Sequence, residues 1–242
     1  MSELKDKVIN DVTEILGWKV QVEKVQRVPE HADLTLGETA KEFQAAAMFV
    51  DVRDSSRLTE VHRPVTAMKV YNAFLNGVVR IIRSQGGHIR SFNGDGVLAF
   101  FDSTGGEPSI IAVRTAKKIM FFVRNVLLPK LNDKEYARGF DAGIGIDYGK
   151  ILTTKVGIRK ENNNDLVWPA TATNLAAKLG GKGERPFNIC VSEEVYSRLP
   201  AEMKHSPSWW PEAFATWYWK WDSFEFADKR TRFLKTDGQE DF

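Results

Sequence analysis

An apolar run from Ala45 to Val50 ends in an acid, Asp51, and a second acid, Asp95, sits in the tight turn Asn93-Gly94-Asp95-Gly96 between two more apolar runs. This pairing constrains the fold more than any other feature of the chain. Asn-Gly and Asp-Gly pairs are strong hairpin signals, because both turn residues must reach positive φ. A carboxylate ending one strand and a carboxylate in a neighbouring hairpin turn can be brought side by side. Two such acids cannot share a dry pocket without a cation, because like charges at contact distance repel strongly. Oxygen ligands suit Mg²⁺ or Mn²⁺, and the waters such ions keep leave room for phosphates. The pattern predicts a two-metal phosphoryl-transfer site.

The surrounding pattern predicts the elements that would hold the two acids. Ala45 to Val52 reads as a buried strand, with Phe49 and Asp51 on one face by period two. Pro64 is tolerated near a helix start, and Val65, Met68, Tyr71, Leu75, Val78 and Ile82 then repeat at helical spacing until Gly86-Gly87. His88 to Phe92 and Val97 to Phe101 are two short strands. Ile110 to Leu128 is a second long helix, expected to stop at Pro129. Gly139 to Tyr148 is a glycine-rich strand, and Gly149 is expected to turn the chain into a further strand, Lys150 to Val156. Arg159 to Asp165 is polar and turn-like. Ala170 to Leu179 reads as a helix, Asn188 to Val191 as a strand, and Ser192 caps a helix begun by Glu193 and Glu194. The order is βαββαβ, an α+β fold of the ferredoxin-like kind, with a mixed or antiparallel sheet and helices on one face.

The ends differ from this core. Leu4, Val8, Val12 and Ile15 form the apolar stripe of an amphipathic helix, expected to pack on the main domain or on a partner copy. Val28-Pro29 to Gly37 reads as a linker. Trp209, Trp210, Trp217, Trp219 and Trp221 mark a tail of one or two antiparallel strands with an aromatic face, expected to cover the core. The domain reading is residues 1–40, helix and linker; 41–200, catalytic domain; 201–242, β extension.

Composition excludes several classes. The chain of 242 residues has 34 basic and 32 acidic residues, net +2, too balanced to argue for nucleic-acid binding by bulk charge. Its one cysteine, Cys190, lies in an apolar run and reads as a buried small residue. No apolar run approaches the roughly 18 residues a membrane span needs, and the N-terminus lacks the apolar stretch of a signal peptide. A cytoplasmic location with no membrane partner is the expectation.

Four segments together carry a resemblance: MFVDVRDSSRL, FNGDGVLAFF, GIGIDYGKILTTKVG and TATNLAAKLGG. In order and spacing they resemble the blocks of class III nucleotidyl cyclase catalytic domains, over roughly residues 43 to 200. The resemblance implies a head-to-tail homodimer with two sites across its interface. It implies that Asp51, Asp95 and the carbonyl of Val52 hold two Mg²⁺ or Mn²⁺ ions per site. Backbone N–H groups of Arg53, Asp54, Ser55 and Ser56 would cradle the triphosphate of a nucleoside triphosphate substrate. The 3′-hydroxyl would attack the α-phosphorus in line, and pyrophosphate would leave. Asn174, from the other subunit, would orient the ribose. Lys178, one turn on along the same helix face, would neutralise the α-phosphate. The family has Arg at that second position, so a point charge replaces a fork here.

The base-reading positions depart further. Adenylate cyclases of this class carry Lys and Asp, and guanylate cyclases Glu and Cys, where this chain has Ser91 and Val167. Neither residue can make the hydrogen bonds that read a purine edge. Asn93 offers both donors and an acceptor, Trp168 would narrow the pocket, and Phe49 would wall it. The set resembles the bacterial uridylate and cytidylate cyclases of the Pycsar anti-phage systems. That resemblance implies cUMP, or next cCMP, as product and a separate effector protein as its receiver. Two other readings stand beside it: a purine cyclase that reads its base in another way, and an inactive cyclase-like interaction module.

Overall fold

The computed structural model describes residues 2–158, 164–205 and 219–241. In chain order the elements are α1 (Ser2–Leu16), β1 (Gln21–Lys24), β2 (Thr39–Val52), α2 (Ser55–Val61), α3 (Pro64–Ser84), β3 (His88–Asn93), β4 (Gly96–Phe101), α4 (Pro108–Phe121), α5 (Leu128–Asn132), β5 (Ala142–Val156), β6 (Asp165–Val167), α6 (Thr171–Gly180), β7 (Ile189–Ser192), α7 (Glu193–Arg198), α8 (Ala201–Lys204), β8 (Lys220–Phe226) and β9 (Lys229–Thr236). Among the described residues, nine strands form one mixed sheet with the main order β3-β4-β2-β5-β7-β9-β8; β1 pairs with β2 and β6 with β5. The first four strands of that order, with α3 and α4, are the expected βαββαβ unit.

Period two in β2 sorts its side chains between two cores. Ala46, Met48, Val50 and Val52 face Val70, Phe74 and Val78 of α3 and Ala112, Ala116 and Ile119 of α4. Full burial of each of the larger of these side chains contributes roughly 1.5–3 kcal/mol. Phe43, Ala45 and Ala47 face the other way, against Phe100, Ile151, Trp168 and Ala172 and Ala176 of α6. The long helices thus share one face, as expected, while α6 covers the other. Phe49 and Asp51 follow the same alternation onto the α6 face.

Four expectations are corrected. The stretch after α1 is not a linker. Strand β1 runs parallel to the start of β2, and Val28 and Leu34 are 1% and 4% exposed. Val28 N–H donates to the buried carboxylate of Asp102 at 2.8 Å. A boundary at residue 40 would therefore cut β2. Nor does Pro129 stop the second long helix. The six residues Phe122–Leu127 form a π-helical turn, and Pro129 falls in the first turn of α5 beyond it. The wider π winding removes the i−4 carbonyl that a proline ring would strike.

Gly149 is likewise no turn, because β5 runs unbroken from Ala142 to Val156. A side chain at Gly149 would meet Ala172 Cβ at 3.3 Å, and one at Gly143 or Gly145 would run into the backbone of α6. These glycines serve the close approach of helix to strand. The tail is the fourth correction. It extends the sheet rather than covering it: β9 pairs with β7, and a left-handed Ala227-Asp228 turn joins it to β8. Trp219 is 4% exposed and belongs to the main core. Trp209, Trp210 and Trp217 lie outside the described residues, as does most of the polar turn expected over Arg159 to Asp165.

Two expectations at the margins are decided. Cys190 is buried, and that burial pushes its thiol up to about 12, out of reach of thiolate chemistry. The apolar stripe of α1 is exposed, with Leu4 at 70% and Val8, Val12 and Ile15 near half, so it is not packed on its own domain.

Replacing Gly145 with alanine puts a methyl group against the Ala176 carbonyl. We expect a loss of about 1–3 kcal/mol of stability, read as a lower urea midpoint. An unchanged midpoint would remove the close-approach argument for β5 and α6.

Candidate active site

Asp51 stands at the end of β2, opposite Gly143 of β5. The hairpin β3-β4 brings Asp95 to it. A side chain at Gly96 would lie 2.9 Å from Asp51 Oδ1 and 2.8 Å from the Phe49 ring. Glycine at that position is what admits both. Asp51 is half-buried, and its carboxyl is pushed up to about 6, first by burial and then by the negative charge of Asp95; Arg53 opposes the shift. Asp95 Oδ2 is buried with no hydrogen-bond partner. Tyr71, whose hydroxyl donates to the Ser55 carbonyl at 3.1 Å, is also raised, by burial and by both aspartates. The structure thus brings the two acids into one place.

An orphaned carboxylate oxygen beside a second carboxyl whose charged form is disfavoured fits a divalent cation, and the Arg53 charge offsets the pair only in part. Among the described residues no third Asp, Glu, His or Cys side chain completes a metal cluster. Further oxygens must come from backbone and substrate, of which the Val52 carbonyl at the end of β2 is the adjacent one. This donor set suits a hard ion that keeps open positions.

The turn after β2 is shaped by Asp54, which adopts a left-handed conformation (φ 49°, ψ 46°). Asp is one of the few residues that visit this region readily. Arg53 N–H is already committed, donating to the Asp141 carbonyl at 2.9 Å. Of the four N–H groups expected to cradle a triphosphate, that of Arg53 is therefore taken, which leaves those of Asp54, Ser55 and Ser56 as candidates. The Arg53 side chain crosses Gly143 and its guanidinium reaches toward Gly181 at the end of α6. Behind the turn lies a polar cleft of about 390 Å³ lined by Arg53, Arg57 and Arg185, among others. Arg185 donates to Asp141 Oδ1 at 3.1 Å. Neither Arg57 nor Arg185 was read from the sequence. The spacing Arg53 to Arg57, one helical turn, was the available signal for the first.

The remaining predicted residues form two other groups. Asn174 and Lys178 both lie exposed on the outer face of α6. Ser91, on edge strand β3, and Val167, on β6, are half-buried and 38% exposed. Asn93 is exposed at the hairpin tip. Trp168 is 8% exposed, with its ring centroid 6.2 Å from Phe43 and 5.1 Å from Phe100. Phe49 stands beside Asp51 and also packs against the cluster that holds Trp168, with Leu98 between it and Ser91.

The fold and the paired acids define a class, and comparison with known proteins agrees. The model of the adenylate and guanylate cyclase catalytic domain matches residues 38–208, so the chain belongs to that family, the class III nucleotidyl cyclases, and is a nucleotidyl cyclase. Among curated proteins it is similar to a uridylate cyclase of Burkholderia cepacia, 31% identical over 232 residues that span 90% of this chain and 98% of that one. A uridylate cyclase of Xanthomonas perforans is 29% identical, spanning 84% and 87%. A cytidylate cyclase of Staphylococcus aureus is 27% identical, over 81% of this chain and 47% of that one. The fold is shared with the adenylyl cyclase CyaB from P. aeruginosa at a TM-score of 0.65 and 19% identity, covering 84% of this chain and 98% of that one. It is also shared with the guanylyl cyclase Cya2, at 0.64 and 16%, covering 82% and 94%.

Asp51 has a higher pKa folded than unfolded, so its charge destabilises the metal-free fold, and that stability falls as pH rises from about 4 through about 6. The Asp51→Asn variant is therefore expected to melt higher than the metal-free wild type at pH 7 and to lose the difference near pH 4. Mn²⁺ should raise the melting temperature of the wild type above pH 6 and leave that of the variant unchanged. Equal responses would show that the ion binds elsewhere.

Proposed function

We propose that the chain converts a pyrimidine ribonucleoside triphosphate, UTP before CTP, into its 3′,5′-cyclic monophosphate and pyrophosphate. The observation that carries the pyrimidine reading is the pair Ser91 and Val167. A single short hydroxyl and an isopropyl group stand where purine cyclases carry two longer readers, which leaves a purine edge short of partners, and unmet polar groups are how such sites reject a base. The similarity to proteins named uridylate cyclase supports the same reading.

Two divalent ions, Mg²⁺ or Mn²⁺, held by Asp51, Asp95 and the Val52 carbonyl, would supply an acidified 3′-hydroxyl and charge neutralisation at the phosphates. The N–H groups of Asp54, Ser55 and Ser56 hold the triphosphate, and Arg53 adds positive charge beside it. Asn174 and Lys178 point away from their own sheet, so they serve the site of a second copy. Asn174 orients the ribose there and Lys178 balances charge at the α-phosphate. Each subunit of a head-to-tail homodimer thus gives its acids to one site and its α6 to the other. A fungal neighbour, the guanylyl cyclase domain of the RhoGC fusion protein from Blastocladiella emersonii, is described as a non-canonical dimer, so it supports pairing of such domains but not this arrangement, with a TM-score of 0.59 and 12% identity, covering 83% of this chain and 99% of that one. The cyclic nucleotide would act as a second messenger, in anti-phage defence, on a separate effector protein in the cytoplasm.

Incubation with Mn²⁺ and each of the four ribonucleoside triphosphates should give cyclic product mainly from UTP, and none after Asp51→Ala or Asp95→Ala. Product from ATP or GTP alone would favour a purine cyclase, and none from any would favour an inactive module.

The shared-site arrangement has its own test. Asp51→Ala and Asn174→Ala proteins, each inactive alone, should recover roughly a quarter of wild-type activity when subunits are exchanged by mixing, because half the dimers are mixed and each has one intact site. No recovery with verified exchange would place both residues in the same chain's site.

A further inference from the structure

Between edge strand β3 and the short strand β6 lies a small cavity of about 190 Å³, lined by Glu30, His31, Arg90, Asp165 and Trp168, among others. It is separate from the acid pair. Two buried N–H donors on side chains that line this cavity, Arg90 Nε and Trp168 Nε1, have no acceptor among the described residues. Buried donors are almost always paired, so two orphans converging on one cavity call for an absent acceptor.

Both side chains are held in place by contacts that leave these donors over. Trp168 is 8% exposed, wedged against Phe43 and Phe100. Arg90 is the extra residue of a bulge in β3, between Ile89 paired with Ala99 and Ser91 paired with Leu98. Its Nη2 donates to Glu30 Oε1 at 2.7 Å and its Nη1 to the Ile89 carbonyl at 3.1 Å. The guanidinium carbon stands 5.9 Å from the Trp168 ring centroid. Nε is what remains. The carboxylates of Glu30 and Asp165 line the same cavity, so it offers N–H donors beside acceptors.

Neither Ser91 nor Val167 lines the cavity itself, but Arg90 precedes Ser91, and Ser91 pairs with Leu98 of the cluster that holds Trp168. Uracil presents a carbonyl, an N–H and a second carbonyl in sequence along its edge. Cytosine presents one carbonyl, a bare ring nitrogen and an amino group, so its C4 substituent donates where that of uracil accepts. N–H donors at a fixed position suit the carbonyl, and a carboxylate beside them suits the ring N–H. An amino group set against the same donors leaves them unpaired, which is the stronger form of discrimination.

We propose that Arg90 and Trp168 are the specificity-determining residues of the base site, donating to the C4 carbonyl of uracil and so selecting UTP over CTP. The assignment deepens the pyrimidine-cyclase reading above and rests on it. It adds Arg90 to the base site and gives Trp168, first read only as narrowing the pocket, a donor of its own, where Ser91 and Val167 act by what they lack.

The test compares kcat/KM for UTP and CTP in the wild type, Trp168→Phe and Arg90→Lys. Phenylalanine keeps an aromatic ring against Phe43 and Phe100 and removes the N–H with part of the indole, so the substrate ratio rather than absolute turnover reads the donor. Lysine keeps the charge facing Glu30 and removes Nε. Each variant is expected to lower the UTP to CTP ratio about tenfold, with CTP turnover not reduced and the melting temperature near that of the wild type. An unchanged ratio in both variants overturns the assignment. So does an equal fall for both substrates, which marks a structural role, or a wild type that prefers CTP. A wild type that forms no cyclic product from any nucleoside triphosphate overturns the cyclase substrate reading itself, and is told apart from the other outcomes by that result alone.

Discussion

Two carboxylates in one half-buried place are the constraint from which the rest follows. Asp51 and Asp95 repel each other there, and the Arg53 side chain and the Val52 backbone offset the pair only in part. A fold that keeps such a pair must hold it against that repulsion. Here the holding is done by β2, buried on both faces, and by a hairpin whose Gly96 lets Asp51 and Phe49 pack under it. The electrostatic cost becomes useful only when a cation and a polyphosphate arrive together, which is the chemistry of the family to which the chain belongs.

A second constraint is steric. Helix α6 sits so close to β5 that Gly143 and Gly145 admit no side chain. Asn174 and Lys178 are therefore carried outward on a helix pressed to the strand that faces Asp51. The acids and the outward pair are rigidly related through backbone, not through long flexible side chains. Catalytic geometry of this kind depends on fixed placement of charge.

Much of this was legible in the chain. The turn Asn93 to Gly96, the acid ending an apolar run and the helical stripe from Val65 to Ile82 gave the order of elements and the two acids. The failures share a cause. Gly149 was read as a turn because a glycine's conformational freedom is a local property, whereas its use here is to let α6 approach. Pro129 was read as a stop because the π turn that accommodates it has no local signature. Val28 and Leu34 looked like linker residues because their burial depends on the sheet they cover. The commitment of the Arg53 N–H to Asp141, and the convergence of Arg90 with Trp168, are likewise contacts between segments far apart in the chain. Periodicity and turn chemistry report on neighbours, and these features do not involve neighbours.

The bulge at Arg90 has a consequence beyond the base. Strand β3 is the last strand on its side of the sheet, and a regular outer strand is an open template on which another chain can add. The extra residue breaks the ladder at mid-strand and puts a cation there. The irregularity at Arg90, which lies beside Trp168, thus also interrupts the open template that an edge strand offers. A reversion to a regular strand would give up both at once.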